Sequence, residues 1–181
     1  MRIIVSGGGT SGHVSPVLAT VDALRSGSNP PEILFVGSHG GVEAGLSRAA
    51  GLPFRGILGG KFRRLPGAGI AGNLRQWRHI IWNLRDLLYM LVGTLQALWI
   101  IGWYRPDVIF NKSGPPGLPV GAAAWFLGIP MVLHEPDSTP GLGTRVMGRW
   151  ATVIATGFPI QLYPLYLQKK LVHTGTPVQP V

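Results

Sequence analysis

The sequence contains no cysteine. That excludes disulfides and thiolate-bound metal, and it suits a reducing compartment. Acidic residues are scarce: 7 Asp and Glu stand against 16 Lys and Arg, a formal net charge of +9. Such a surplus favours anionic partners (nucleic acid, anionic lipid or phosphorylated substrates), unless the charges only keep a greasy protein in solution. Charge of either sign is sparse at 13%, against 46% hydrophobic residues, which is too apolar for disorder. An apolar signal-peptide core is missing as well, because Ile3-Ile4-Val5 runs straight into glycine. Despite 27 Gly and 16 Pro there is no collagen-like period and no internal repeat. These residues sit at the ends of apolar runs, where turns belong. The 181 residues leave room for one domain with a substantial core.

What is present alternates between strand and helix patterns. Arg2–Ser6 reads as a first strand and Ile33–Val36 as a second. Pro16–Arg25 between them reads as a helix, with Ser15 as N-cap and Pro16 at the first helical position. Val42–Ala50 reads as a short helix and Phe54–Leu58 as a third strand. Residues 59–72 are glycine-rich and basic and read as a loop. Leu74, Trp77, Ile81, Leu84, Leu88, Leu91, Leu95 and Leu98 then recur at spacings of three and four, the stripe of a long helix packed along one face. Downstream, strands are expected at Asp107–Phe110, Pro130–His134, Thr152–Ala155 and Leu171–His173, and helices at Val120–Leu127 and Gly143–Trp150. The alternation predicts an α/β fold: a Rossmann-like parallel sheet with helices on both faces. Ligands of such sheets bind beyond the carboxyl ends of the strands. Segments 7–13, 113–119 and 135–141 occupy that edge.

The first of these segments carries the most chemistry. Gly7, Gly9 and Gly12 follow a strand and open a helix, so backbone N–H groups can approach an anion there. No Gly-Lys-Ser/Thr follows, so this is not a P-loop. Strand two ends in Val36-Gly37-Ser38-His39 without a ribose-binding acid, which counts against a nicotinamide cofactor. His13 enters the helix N-terminus, where imidazole tends to stay neutral and can act as a base or simply cap the backbone. Glu135 reads either as an acid–base group or, preferably, as a carboxylate that accepts loop N–H groups. His134 reads as packing. Lys112 reads equally as a phosphate contact or a solvated loop lysine. No metal-ligand cluster is visible, and any Mg²⁺ would travel with a donor diphosphate.

The run Gly8-Gly9-Thr10-Ser11-Gly12-His13-Val14-x-Pro16 resembles the GGTGGHVxP opening of the MurG-type glycosyltransferases, with Ser11 in place of a glycine. Val36-Gly37-Ser38 with Val42-Glu43-Ala44-x-Leu46, then Pro106-Asp107-Val108-Ile109, then Ala123–Glu135, then Thr174–Val178 resemble further family segments in the same order. The resemblance implies one half of a two-domain GT-B enzyme that transfers GlcNAc from UDP-GlcNAc to a polyprenyl-diphosphate-linked muramyl pentapeptide. It places the acceptor and the membrane surface on this N-terminal domain, and the UDP-sugar on a C-terminal domain expected in cis or in trans. Carried over position by position, Gly9, Thr10, Ser11 and Gly12 become substrate contacts and His13 the candidate base. Ser113 and Gly114 join the acceptor-diphosphate loop, Glu135 joins the substrate-binding group, and Asp137 a donor contact. Besides Ser11, the chain departs from the family at three places. Asp137 replaces an asparagine, Pro115 and Pro116 enter the second loop, where the family tyrosine is missing, and Gln179 replaces an arginine.

Leu87–Tyr104 contains eighteen residues without a charge, a marginal length for a membrane span. With the leucine stripe packed inward, Trp82, Tyr89, Trp99, Ile100 and Trp103 are expected on an outer face, and Arg75, Arg78 and Arg85 lie nearby. Aromatic rings beside cations suit an anionic membrane surface, so a peripheral membrane face on the cytoplasmic side is expected. A core helix covered by another domain is the competing reading. Nucleic-acid binding fits the charge but not the greasy helix. At the level of function, two alternatives stand beside the transferase half: a membrane-recruiting subunit of a bipartite transferase, and an inactive truncated remnant.

Overall fold

The computed structural model describes residues 1–60 and 77–178, with side chains from residue 81 onward in the second stretch. Seven strands are present: β1 (Arg2–Ser6), β2 (Glu32–Ser38), β3 (Phe54–Ile57), β4 (Val108–Asn111), β5 (Met131–Glu135), β6 (Val153–Thr156) and β7 (Leu171–His173). Between them run α1 (Ser11–Arg25), α2 (Val42–Ala49), α3 (Trp77–Tyr104), α4 (Gly117–Phe126), α5 (Leu142–Met147), a 3₁₀ turn at Ile160–Leu162 and α6 (Leu165–Gln168). The sheet is parallel throughout, in the order β3-β2-β1-β4-β5-β6-β7.

Both faces of the sheet are covered, which explains why its strands read as continuous apolar runs. Ile3 and Val5 point one way, into a cluster with Val14, Val17, Leu18 and Val21 of α1. Ile4 points the other way, into a larger cluster with Ala97, Ile100 and Ile101 of α3 and Val120, Ala123 and Ala124 of α4. Period two along the strand therefore feeds two separate cores. Each fully buried Ile or Leu contributes roughly 2 kcal/mol relative to exposure.

From β1 the order runs one way to β2 and β3, and from β4 the other way to β5, β6 and β7. The reversal lies between β1 and β4, registered by Ile3↔Val108 through Ser6↔Asn111. Loops leaving two adjacent strands in opposite directions open a crevice there, the place where doubly wound sheets take ligands.

Two expectations are corrected. Helix α1 begins at Ser11 rather than Pro16, and its N-cap is the extended Thr10 (φ −147°, ψ 157°) rather than Ser15. Pro16 is helix interior; without an N–H it leaves the carbonyl of exposed Gly12 to solvent, which is tolerable this close to the end. Most of the leucine stripe of α3 faces outward: Ile81, Leu84, Leu88, Leu91 and Leu95 are all more than half exposed, and Leu98 alone of its described leucines packs against the core. The inward face is instead Asp86, Gly93, Ala97, Ile100, Ile101 and Tyr104, so Ile100 also belongs to the core and not to the outer face. Close approach is the reason. A side chain at Gly93 would run into the Leu58 carbonyl, and Gln96 Oε1 accepts the Leu58 N–H at 2.8 Å just past β3. Small and polar residues, not leucines, fit that contact. Leu74 lies outside the described residues, as does the side chain of Trp77.

Smaller shifts follow the same logic. Strand β2 extends to Ser38, and β4 to Asn111. Helix α4 starts at Gly117, three residues earlier than expected, and α5 spans Leu142–Met147.

Candidate functional site

A cleft of about 470 Å³ opens over the carboxyl ends of β1, β4 and β5. Its walls come from the three glycine- and proline-rich segments, and each is held by a buried side chain from an adjoining element.

The first segment rests on Glu43, a fully buried carboxylate from the first turn of α2. Its Oε1 accepts the Ser38 N–H at 2.7 Å and its Oε2 the Gly9 N–H at 3.3 Å. The carboxylate fills the space where Gly8 would carry a Cβ, so no other residue fits at Gly8 without displacing it. Gly9 itself adopts φ +92°, which an L side chain rarely tolerates. The sequence reading had used Glu43 only as part of the resemblance. Its acidic position in the first turn of a helix abutting two glycine-rich turns was the available signal.

The second segment leaves β4 through Asn111, which is fully buried. Asn111 Nδ2 donates to the Gly117 carbonyl at 2.8 Å, and Oδ1 accepts the Ser113 N–H at 2.9 Å. Ser113 sits at φ +64° and Gly114 at φ +89°, with Gly114 backed directly against the backbone of Gly8. The first two segments thus meet backbone to backbone at the reversal point. The third segment is tied by Glu135, whose two oxygens accept the N–H groups of Asp137 at 3.1 Å and Gly141 at 3.2 Å. That is the loop-holding arrangement preferred from the sequence. Tyr163 secures the same loop by donating its hydroxyl to the Asp137 carbonyl at 2.9 Å.

Of the residues singled out from the sequence, Gly9, Thr10, His13, Ser113, Gly114, Glu135 and Asp137 all line this cleft. Ser11 and Gly12 do not: both are exposed in the first turn of α1. The cleft also takes in Met90, Leu118, Leu142, Gly143 and Thr144, which the sequence reading did not identify. Helix α5 brings the last three. Thr144 is buried, with its Oγ1 3.3 Å from Ser113 Oγ.

His13 Nδ1 lies 2.8 Å from Thr10 Oγ1, so the N-cap side chain orients the imidazole. When Nδ1–H donates to Thr10, the lone pair of Nε2 is free to take a proton. Burial, and then the Lys112 ammonium, push the His13 pKa below 6.5, partly opposed by Asp137 and Glu135. The imidazole is therefore neutral at pH 7, as a base requires. His134 is buried, stacked on Phe110 and held near the Gly175 carbonyl, and burial with the Lys112 charge lowers its pKa to about 4. It is packing, as expected. Lys112 is not the solvated lysine that was one of two readings: it is 3% exposed and faces the cleft. Among the described residues, no three His, Asp or Glu converge as metal ligands.

On the outer surface, Trp82, Tyr89, Trp99 and Trp103 of α3 are 39–70% exposed, beside the leucine stripe. Ile81–Tyr104 has a mean hydropathy of 1.5 over its most apolar window, of which 28% is buried, and is long and apolar enough to cross a membrane. Arg55 lies over the Trp103 ring and Arg85 over Tyr89. Arg75 lies outside the described residues, as do residues 61–72 of the expected basic loop and the side chain of Arg78.

Comparison with known proteins agrees with this geometry. A transferase of Lachnospira eligens named UDP-N-acetylglucosamine–N-acetylmuramyl-(pentapeptide) pyrophosphoryl-undecaprenol N-acetylglucosamine transferase is 36% identical over 98% of this chain and 46% of its own length. A Treponema pallidum protein of the same name is 35% identical over 98% of the chain and 43% of its own. The crystal structure of Acinetobacter baumannii MurG superposes with a TM-score of 0.74 at 22% identity, over 99% of this chain and 46% of that one. The chain thus spans about half the length of the relatives it matches. Residues 3–156 match the N-terminal domain of glycosyltransferase family 28, and the chain belongs to that family.

Proposed function

We propose that this chain is the acceptor-side half of a GlcNAc transferase that uses UDP-GlcNAc and a polyprenyl-diphosphate-linked muramyl pentapeptide. The observation that carries the reading is the placement of a neutral, Thr10-oriented His13 at the mouth of a cleft walled by two glycine loops. The family relationship supplies the reaction class. In it, the acceptor hydroxyl displaces UDP from the sugar anomeric carbon, and a base takes the hydroxyl proton. His13 Nε2 is that base, Thr10 holds its tautomer, and the loops at Gly9 and Ser113–Gly114 seat the acceptor diphosphate. Glu135 acts by holding the third loop. Asp137 is exposed at the rim, where it borders the donor. The uridine is held by a second, C-terminal domain, in cis or in trans.

The outward face of α3 is the membrane contact, on the cytoplasmic side of the plasma membrane. Exposed leucines and tryptophans enter the lipid interface, and the basic surplus meets anionic headgroups. That face seats the cleft beside the membrane that carries the acceptor.

The test is GlcNAc transfer from UDP-GlcNAc to the lipid-linked acceptor, with the chain assayed alone and after addition of a family 28 C-terminal domain. Turnover is expected only in the second case, and His13→Ala is expected to lose at least about a hundredfold of it. Equal rates for wild type and His13→Ala reject the base assignment. No turnover with any added donor domain favours a recruiting subunit or an inactive remnant.

A further inference from the structure

Lys112 lines the cleft, and its protein partners do not explain its burial. It follows β4 directly: its N–H donates to the Ser6 carbonyl at 2.8 Å, extending the β1–β4 register by one step. Its side chain enters the cleft at the reversal point and is 3% exposed. Among the described residues, none accepts a hydrogen bond from its ammonium and none forms an ion pair with it. Glu135 and Asp137 act on it from a distance, and both oxygens of Glu135 are already occupied by backbone N–H groups. Taking an ammonium out of water without a partner costs several kcal/mol. Burial accordingly lowers the Lys112 pKa, more than those two carboxylates raise it.

The second loop shows what the charge is for. An anion beside it would ordinarily be cradled by backbone N–H groups. Here Pro115, Pro116 and Pro119 have none, and the N–H groups of Gly117 and Val120 already donate to the carbonyls of Gly114 and Pro116. The Ser113 N–H is likewise taken, by Asn111 Oδ1, so few donors of this loop are left for a ligand. One fixed cation stands between this loop and the first.

We propose that Lys112 binds the substrate diphosphate, its ammonium donating to phosphate oxygens and replacing the backbone donors that the prolines remove from the second loop. This deepens the transferase reading and rests on it. A bound diphosphate supplies the missing acceptors, so the ion pair forms only with ligand present.

The test titrates the 181-residue chain with inorganic pyrophosphate, farnesyl diphosphate and UDP-GlcNAc by calorimetry, in wild type, Lys112→Met and Lys112→Arg. Thermal unfolding and the NMR titrations of His13 and His134 are followed in each. Wild type is expected to bind pyrophosphate, and Lys112→Met to weaken that binding about tenfold or more, with Lys112→Arg retaining most of it. Because the ammonium is unpaired, Lys112→Met is expected to melt at or above the wild-type temperature. Both histidine pKa values are expected to rise in that variant, since Lys112 lowers both. A loss for farnesyl diphosphate but not UDP-GlcNAc assigns the site to the acceptor, and a loss for UDP-GlcNAc assigns it to the donor; each upholds the site. Unchanged pyrophosphate affinity in Lys112→Met, no pyrophosphate binding in wild type, or a clear drop in melting temperature overturns it. These measurements need no turnover, so Lys112 can fail while transfer through His13 stands.

Discussion

At the level of single residues, the site depends on buried polar groups rather than on exposed ones. Glu43 is the clearest case. Removing a buried acceptor strands two loop N–H groups, so Glu43→Ala is expected to cost about 2–3 kcal/mol in urea unfolding, with Glu43→Gln costing less. His134 gives the pH dependence. Its folded pKa, about 4, lies below the unfolded 6.5, so the unfolded chain binds more protons between those values. Stability is therefore complete above pH 6.5 and falls as pH drops toward 4, by roughly 3 kcal/mol at most. Unfolding free energies that do not change between pH 7 and pH 4.5 in the His134 contribution, isolated by His134→Phe, would contradict this. The glycine loop, His13 and the loop-holding role of Glu135 were legible in the sequence, because a glycine run between strand and helix has few uses. The burial of Lys112 and the carboxylate prop at Glu43 were not, because both depend on which strands become neighbours.

At the level of elements, α3 shows where periodicity misleads. Its leucines repeat at helical spacing, so the helix itself was legible. Which face packs was not, since nearly every turn is apolar all round. The deciding contacts are the backbone approaches at Gly93 and the Gln96–Leu58 hydrogen bond, which no hydrophobic pattern encodes. Gly93→Ala is therefore expected to destabilise the chain by about 1–3 kcal/mol in chemical denaturation, although alanine is the better helix former. A stabilised Gly93→Ala would show that α3 does not pack this closely. Helix α1 carries the opposite lesson. Pro16 looked like a helix start, but the fully buried Val14 and the Thr10–His13 contact belong to an earlier turn.

At the level of the whole molecule, the alternation of strand and helix made the parallel sheet legible, and the reversal between β1 and β4 put all three segments at one cleft. The outer surface follows from the same winding, since α3 crosses from β3 to β4 and leaves its broad apolar face uncovered. Co-sedimentation with anionic vesicles is expected at low salt, weakening as salt rises; Trp99→Ser with Trp103→Ser is expected to reduce it severalfold. Vesicle binding equal in wild type and double variant would remove that face from the account. The proposed role of the cleft between the two glycine loops is to receive the lipid-linked acceptor. The most direct measurement is an NMR titration of the labelled chain with a short-chain polyprenyl-diphosphate muramyl pentapeptide. Saturable shifts are expected at Gly9, His13, Ser113 and Gly114, with UDP-GlcNAc alone giving weaker ones. Shifts absent from those four residues, while the acceptor binds elsewhere or not at all, would contradict it.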